Sequence, residues 1–350
     1  MSEVTSLATL FEPFQLQDLV LKNRIVMSPM CQYSVDAHDG RLNAWHYVHY
    51  VSRAVGGTGL ILVEMTDVEP NGRITAGDSG IWDDSHIEPL AWIAEQVHRY
   101  GAKFGVQIAH AGRKATDPSW DVVAPSAIRF SERLPMPRAL TTDECERLVE
   151  KFAAAARRVV AAGGDTIELH GAHGYLLNQF MSPGSNHRTD RYGEPTRFPV
   201  EVIEAVRAQL PAGMPLFMRV SAVEYSPEGY GLEHLVEMAG AFHKAGVDLF
   251  DVSSGSNYPT GPDQVYPGYQ VPFADRIKQA LQVPVMAVGM LEDPRLAEAV
   301  IAEGRADLVA IGRGHLAHPY WTNAAALELG APVQTPWEYD RAFPQANKRA

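Results

Sequence analysis

Eight short apolar runs, each followed by an amphipathic stretch, limit what this chain can fold into more than any other feature. They cover residues 24–27, 59–63, 104–108, 166–169, 216–220, 249–252, 283–288 and 307–311. Several are apolar almost throughout, as strands covered on both faces must be. Strands alternating with helices imply a parallel sheet, and a count of eight favours an α/β fold closed into a (β/α)8 TIM barrel over an open sheet. One domain spanning 1–350 is therefore expected. The clearest helix starts where Thr141 and Glu144 stand at capping-box spacing. Cys145, Leu148, Val149, Phe152, Ala156, Val159 and Val160 then recur on one face, and Gly163-Gly164 ends the pattern. Further helices are predicted near residues 43–54, 87–100, 198–209, 232–245, 273–281, 294–303 and 320–329. Residues 11–21 read as a small N-terminal hairpin closing the base of the barrel. The proline-rich stretch 111–140 is long enough to be a lid or binding segment.

Charge and cysteine content narrow the possible partners. A net charge of −12 argues against nucleic acid and against an anionic membrane surface, but leaves room for a local basic phosphate pocket. Two cysteines, Cys31 and Cys145, cannot build a disulfide scaffold or a four-thiolate metal centre within one chain. The first residues lack a basic segment followed by a long apolar run, and no stretch approaches the roughly 20 apolar residues that span a bilayer. The expectation is a soluble cytoplasmic protein.

In such a barrel the chemistry sits where strands end. The fourth run is followed at once by His170-Gly171-Ala172-His173-Gly174-Tyr175. Two imidazole donors beside a phenol suit gripping a carbonyl oxygen and delivering a proton close by. His170 and His173 also have a chelating spacing, but no third ligand is evident, so no metal is expected. The last two runs end in Val288-Gly289-Met290 and Ile311-Gly312-Arg313, the pair of loops at which barrels often bind phosphate. Glycine lets backbone N–H groups approach phosphate oxygens, and Arg313 adds a charged contact.

Taken in order, these motifs resemble the Old Yellow Enzyme family of FMN-dependent ene-reductases, in particular the bacterial branch with a cysteine beside the flavin. The matching stretches are residues 21–31, 107–114 and 170–176, Ser185-Asn186 with Arg188-Thr189-Asp190, and residues 311–313. The resemblance implies that Ser28, Pro29, Met30 and Cys31 line one face of the flavin and that Gln107 bonds its pyrimidine edge. It implies that Met65 lies near the ring and that Arg219 stands near N1, where reduced flavin carries charge. The blander reading of Arg219 is a buried ion pair with Glu168 or Glu64. Gly289, Gly312 and Arg313 take the phosphate, and a single phosphate site favours FMN over FAD. His170 and His173 anchor the substrate oxygen, Tyr175 is the proton donor, Tyr33 contacts the substrate, and Cys31 tunes the flavin. Arg341, in Tyr339-Asp340-Arg341, is matched to an arginine that completes a neighbouring subunit's site, which implies a homodimer or homotetramer with the tail 331–350 at its interface. The implied activity is NADPH (or NADH) dehydrogenation coupled to reduction of an enone, nitroalkene or quinone. The sequence departs from the family at 192–198, where a bracing asparagine–arginine pair is missing, and at Met65, which replaces a smaller residue. The rival reading is a cofactor-free, phosphate-binding barrel lyase with Lys114 forming a Schiff base.

Overall fold

The computed structural model describes residues 8–343. Its centre is a closed ring of eight parallel strands: β1 (Ile25–Met27), β2 (Leu60–Asp67), β3 (Lys103–Ala109), β4 (Thr166–Gly171), β5 (Leu216–Ser221), β6 (Leu249–Ser253), β7 (Val285–Ala287) and β8 (Leu308–Ile311). Neighbours in sequence pair in space, and the ring closes because β1 bonds both β2 and β8, with Val26 opposite Leu60 and Ala310. A main helix follows each strand: α1 (Ala44–Val55), α2 (Ile87–Arg99), α3 (Thr142–Ala161), α4 (Arg197–Arg207), α5 (Leu232–Ala245), α6 (Val271–Leu281), α7 (Pro294–Ala302) and α8 (Trp321–Glu328). The predicted (β/α)8 TIM barrel is thus the fold.

The sequence pattern explains the two cores. Inward-facing residues at the lower end of the barrel, among them Leu60, Leu62, Phe217, Leu249, Met286 and Leu308, form one buried cluster. The antiparallel hairpin Phe14–Leu16 and Leu19–Leu21 adds Phe14, Leu19 and Leu21 to it and plugs the base. Outward-facing strand residues meet the apolar helix faces in a second, larger cluster, where Cys145, Leu148, Phe152 and Val159 of α3 are buried as their spacing predicts.

Several boundaries differ from the expectation. β2 runs on to Asp67 through an irregularity between Val63 and Thr66, a bulge that re-aims the side chains between them. β7 starts only at Val285, after Pro284, whose missing N–H cannot serve a central strand. Two short helices, Leu176–Met181 and Arg313–Ala317, were not foreseen. The first is buried on every side, so it shows no amphipathic period. The segment 111–140 is largely irregular apart from a two-residue pairing of Val123–Ala124 with Arg138–Ala139. The 192–198 loop is braced without the missing pair. Asp190 caps the turn at Arg191–Gly193, and Tyr192 and Arg197 both bond Glu201, at 2.8 and 2.6 Å. Residues 344–350 of the predicted interface tail lie outside the described residues.

The capping box gives a direct test of these local rules. Thr141 Oγ1 accepts from the Glu144 N–H at 3.2 Å while Glu144 Oε2 accepts from the Thr141 N–H at 2.8 Å. Thr141→Ala should lower the unfolding free energy by about 1 kcal/mol, read from urea denaturation, with the fold intact.

Candidate active site

The C-terminal ends of the strands surround one cavity of about 380 Å³, within the range of small-molecule sites. Ser28, Pro29, Met30 and Cys31 enter it directly after β1, Gln107 from β3, His170 from β4 and Arg219 from β5. Gly289, Gly312 and Arg313 close the far side, and His173 and Tyr175 complete the near side. The paired imidazoles and the phosphate-type loops therefore share one enclosure.

The imidazoles and phenol form a tight group. The His170 ring lies edge-on to His173 at 5.2 Å and to Tyr175 at 4.9 Å between centroids. His173 adopts left-handed backbone geometry at φ 59° and Gly174 follows at 72°. A Cβ on Gly174 would meet Ser256 O at 2.5 Å, so only glycine lets the loop turn here. The Ser221 hydroxyl fixes the bend by accepting from the His173 N–H at 3.0 Å. His170 Nδ1 accepts from the Ala172 N–H at 3.4 Å, which leaves Nε2 as its donor. His173 Nε2 is bonded to Ser253 Oγ at 2.7 Å. Burial, and then the neighbouring cations, hold both imidazoles well below their ordinary pKa. They are neutral donors, suited to bonding an oxygen without protonating it.

Tyr175 is pushed the other way: burial, followed by surrounding acidic groups, raises its phenol well above its usual value. It keeps its proton until something basic arrives. Lys114 stands 5.1 Å from its ring centroid and donates to the carbonyls of His173 and Ser256 at 2.9 and 3.1 Å. Burial, then Arg113, lowers Lys114 to about 8. Lys114 braces the His173–Tyr175 loop from behind and does not line the cavity.

Cys31 is a neutral thiol. Burial, then the carboxylates of Glu64, Asp78 and Asp67, raises it well above the usual thiol value, and it hydrogen-bonds to Tyr33. Arg219 has the ion pair that the blander reading foresaw, but with a different partner. Its Nε lies 3.2 Å from Asp251 Oδ2, because β5 and β6 pair with Arg219 opposite Asp251. The pair lacks the alignment of a hydrogen bond. Glu64 is instead engaged by Tyr50, His46 and the Gln32 N–H. Arg219 also reaches Ser28 Oγ at 3.3 Å while facing the cavity, so it is both paired and available.

Three expected residues lie off the cavity wall. Met65 is buried in an apolar cluster with Ile74, Ala109 and Ala111, against which Cys31 and Tyr175 pack. It supports the wall from behind. Tyr33 is half exposed and outside the lining. Arg341 is exposed, in the 3-10 turn Trp337–Ala342, and is not among the residues around this chain's own cavity. The structure adds Ser253, Ser254, Ser256, Tyr269, Gln270 and Met290. Ser253 ends β6 and Ser254 follows it, so the rule that strand ends carry function could have found them. Gln270, just before α6, had no such signal. Among the described residues no three His, Cys, Asp or Glu side chains gather as a metal site. No helix among the described residues is long and apolar enough to cross a membrane.

With this geometry in place, comparison with known proteins is decisive. A model of the NADH:flavin oxidoreductase / NADH oxidase family matches residues 9–330. The chain belongs to this family. The flavin oxidoreductase is 48% identical over 338 residues to the NADPH dehydrogenase of Geobacillus thermodenitrificans, covering 95% of this chain and 98% of the relative. It is 46% identical, over 95% of this chain and 99% of the relative, to the NADPH dehydrogenase of Bacillus subtilis. Among solved structures, morphinone reductase superposes with a TM-score of 0.79 at 28% identity, covering 95% of this chain and 93% of that one. A complex of 2-naphthoyl-CoA reductase gives a TM-score of 0.85 at 24% identity but covers only 53% of that chain, a likeness of fold alone. Family membership agrees with the resemblance drawn from the motifs and leaves the cofactor-free lyase reading without support.

Two outcomes test the electrostatics. Cys31 should react with iodoacetamide at pH 8 at least about tenfold more slowly than free glutathione, since the thiolate is the reactive form; rapid labelling would show an ionised thiol. In 15N-histidine spectra at pH 5.5, His170 and His173 should remain neutral. Unfolded imidazoles titrate near about 6.5. Their contribution to stability is therefore complete above that pH and is lost as pH falls toward the depressed folded values.

Proposed function

We propose that the chain binds FMN in this cavity and uses NADPH to reduce activated C=C bonds of enones, nitroalkenes or quinones. The observation that carries the proposal is the shared enclosure: His170, His173 and Tyr175 face the same space as Arg219, Gln107 and the two glycine loops. The residues fit the cofactor. Gln107 and Arg219 present an amide and a guanidinium at the inner end, matching the polar edge and the N1 locus of a flavin. Gly289, Gly312 and the largely exposed Arg313 guanidinium lie at the outer end, matching a single phosphate.

Bound FMN would supply the hydride carrier, taking a hydride from the nicotinamide and passing one to the alkene. The chain's residues do the rest. His170 and His173 hold the carbonyl or nitro oxygen, and their N–H groups stabilise the negative charge that gathers there. Tyr175 holds a proton beside the imidazoles for the alkene's α-carbon, and the Lys114 cation beside its ring favours the phenolate left behind. Cys31 offers a neutral S–H to the flavin edge, and Met65 keeps Cys31 and Tyr175 packed. Both reactants use the one cavity in turn, which implies ping-pong kinetics. Arg341, off this chain's own cavity, is assigned to the site of a second subunit in a homodimer or homotetramer, and the protein is assigned to the cytoplasm.

The experiment is anaerobic reduction by NADPH followed by reoxidation with 2-cyclohexenone, watching flavin absorbance. Bleaching and recovery support the reading; a colourless protein, or bleaching without recovery, overturns it. Tyr175→Phe should slow the reoxidation at least about tenfold while leaving reduction by NADPH nearly untouched, in line with the usual worth of a positioned proton donor. Equal losses in both halves would remove Tyr175 from that role.

A further inference from the structure

Beneath the cavity, against Arg219, lie two carboxyl side chains for which the steps above have no use. Glu168 on β4 and Asp251 on β6 are both fully buried, and Arg219 on β5 between them is 6% exposed. Strand pairing sets the group: Gln107 stands opposite Glu168, and Arg219 opposite Asp251. The Gln107 Nε2–H donates to Glu168 Oε1 at 2.7 Å. The two carboxyl groups are within hydrogen-bonding reach of each other. Yet Glu168 Oε2 and both Asp251 oxygens have no donor. Two facing acceptors cannot bond unless a proton lies between them.

The charge balance leads to the same place. One guanidinium against two ionised carboxylates would leave a net negative charge in a dry interior, where unpaired charge is costly. One retained proton brings the group to neutrality and joins Glu168 Oε2 to one Asp251 oxygen, leaving the other Asp251 oxygen to the Arg219 ion pair. Its place follows from the neighbours: Asp251 forms the ion pair with Arg219 and stays ionised, while Glu168, bonded to the Gln107 amide, feels the Arg219 charge without an ion pair of its own. Burial, then the Asp251 charge, raises Glu168 well above the carboxylate range. Burial also raises Asp251, with Arg219 pulling it back down.

We infer that Glu168 and Asp251 share one proton, resident on Glu168, and that Glu168 is thereby a positioning residue that fixes the Gln107 amide under the flavin site. With Nε2 held by Glu168, the Gln107 carbonyl oxygen is left to face the cavity as an acceptor, the partner required by a ring N–H of a flavin pyrimidine. Asp251, kept ionised by the same proton, leaves Arg219 with one counter-charge. The positioning role rests on the flavin assignment; the shared proton does not.

The test therefore has two arms. Infrared difference spectra of the protein at pH 7.5, wild type minus Glu168→Gln, should show a protonated carboxyl band that shifts in D2O. Taken on an Asp251→Asn background, the same difference should show a carboxylate instead, because Glu168 then becomes the counter-ion of Arg219. A carboxylate in the first difference, or a protonated carboxyl in both, overturns the shared proton. In the second arm FMN affinity is read from quenching of flavin fluorescence. Glu168→Leu should weaken it about tenfold, as expected for a lost buried hydrogen bond. Glu168→Gln, which can still accept from Gln107, should restore most of the loss. Equal weakening in both variants overturns the positioning role. Failure of the wild-type protein to bind FMN would overturn the proposed function and leave the infrared result standing. Should Glu168→Leu not fold, the Glu168→Gln spectra still decide the proton.

Discussion

The pairing of the first strand with the last is the constraint on which the rest depends. Ser28 N–H donates to Ile311 O at 3.1 Å just beyond the point where β1 and β8 pair. That seam brings the ends of two strands, nearly 300 residues apart in sequence, side by side. Through it, Ser28 to Cys31 meet Gly312 and Arg313. An open sheet would leave these segments at opposite edges, and no single enclosure could form. Closure also removes both sheet edges, so the sheet's backbone polarity is spent internally and the loops are free to carry chemistry.

The rim works by pushing its polar groups further toward their uncharged forms than water would. The imidazoles are kept neutral, the phenol and thiol are kept protonated, and burial is the first cause in each case. The common effect is a set of hydrogen-bond donors in a site whose buried cation is Arg219. Such a set stabilises negative charge as it develops while adding little net charge to the resting cavity. The polar layer on β3 to β6 lies directly below, so the floor of the site is set by strand register and not by loop conformation.

Much of this was legible in the sequence because the barrel repeats a simple unit. Apolar runs announced strands, and the Thr141–Glu144 box marked the helix before β4. Adjacency to a strand end picked out His170, His173, Gly289 and Gly312. The misses have physical reasons. Leu176–Met181 is buried all round and too short to show a period. The family resemblance sets Met65 near the flavin, and the structure packs it behind the cavity wall, beyond the irregularity in β2. Asp251 was overlooked as the partner of Arg219 because pairing between β5 and β6 depends on register, which a linear string does not display. Gln270 reaches the cavity from just before a helix, across a loop whose path only the folded chain reveals.

The left-handed residues at the rim carry a cost of their own. His173, Met290 and Tyr33 all have φ between 53° and 59°, a region that side-chain-bearing residues enter reluctantly. Such positions invite replacement when heat tolerance is sought, since glycine or asparagine would sit there more comfortably. At Met290 that exchange removes one apolar thioether from the cavity lining and no hydrogen-bonding group. At His173 the same relief would strip an imidazole from the cavity, so durability and turnover compete at one residue and can be separated at the other.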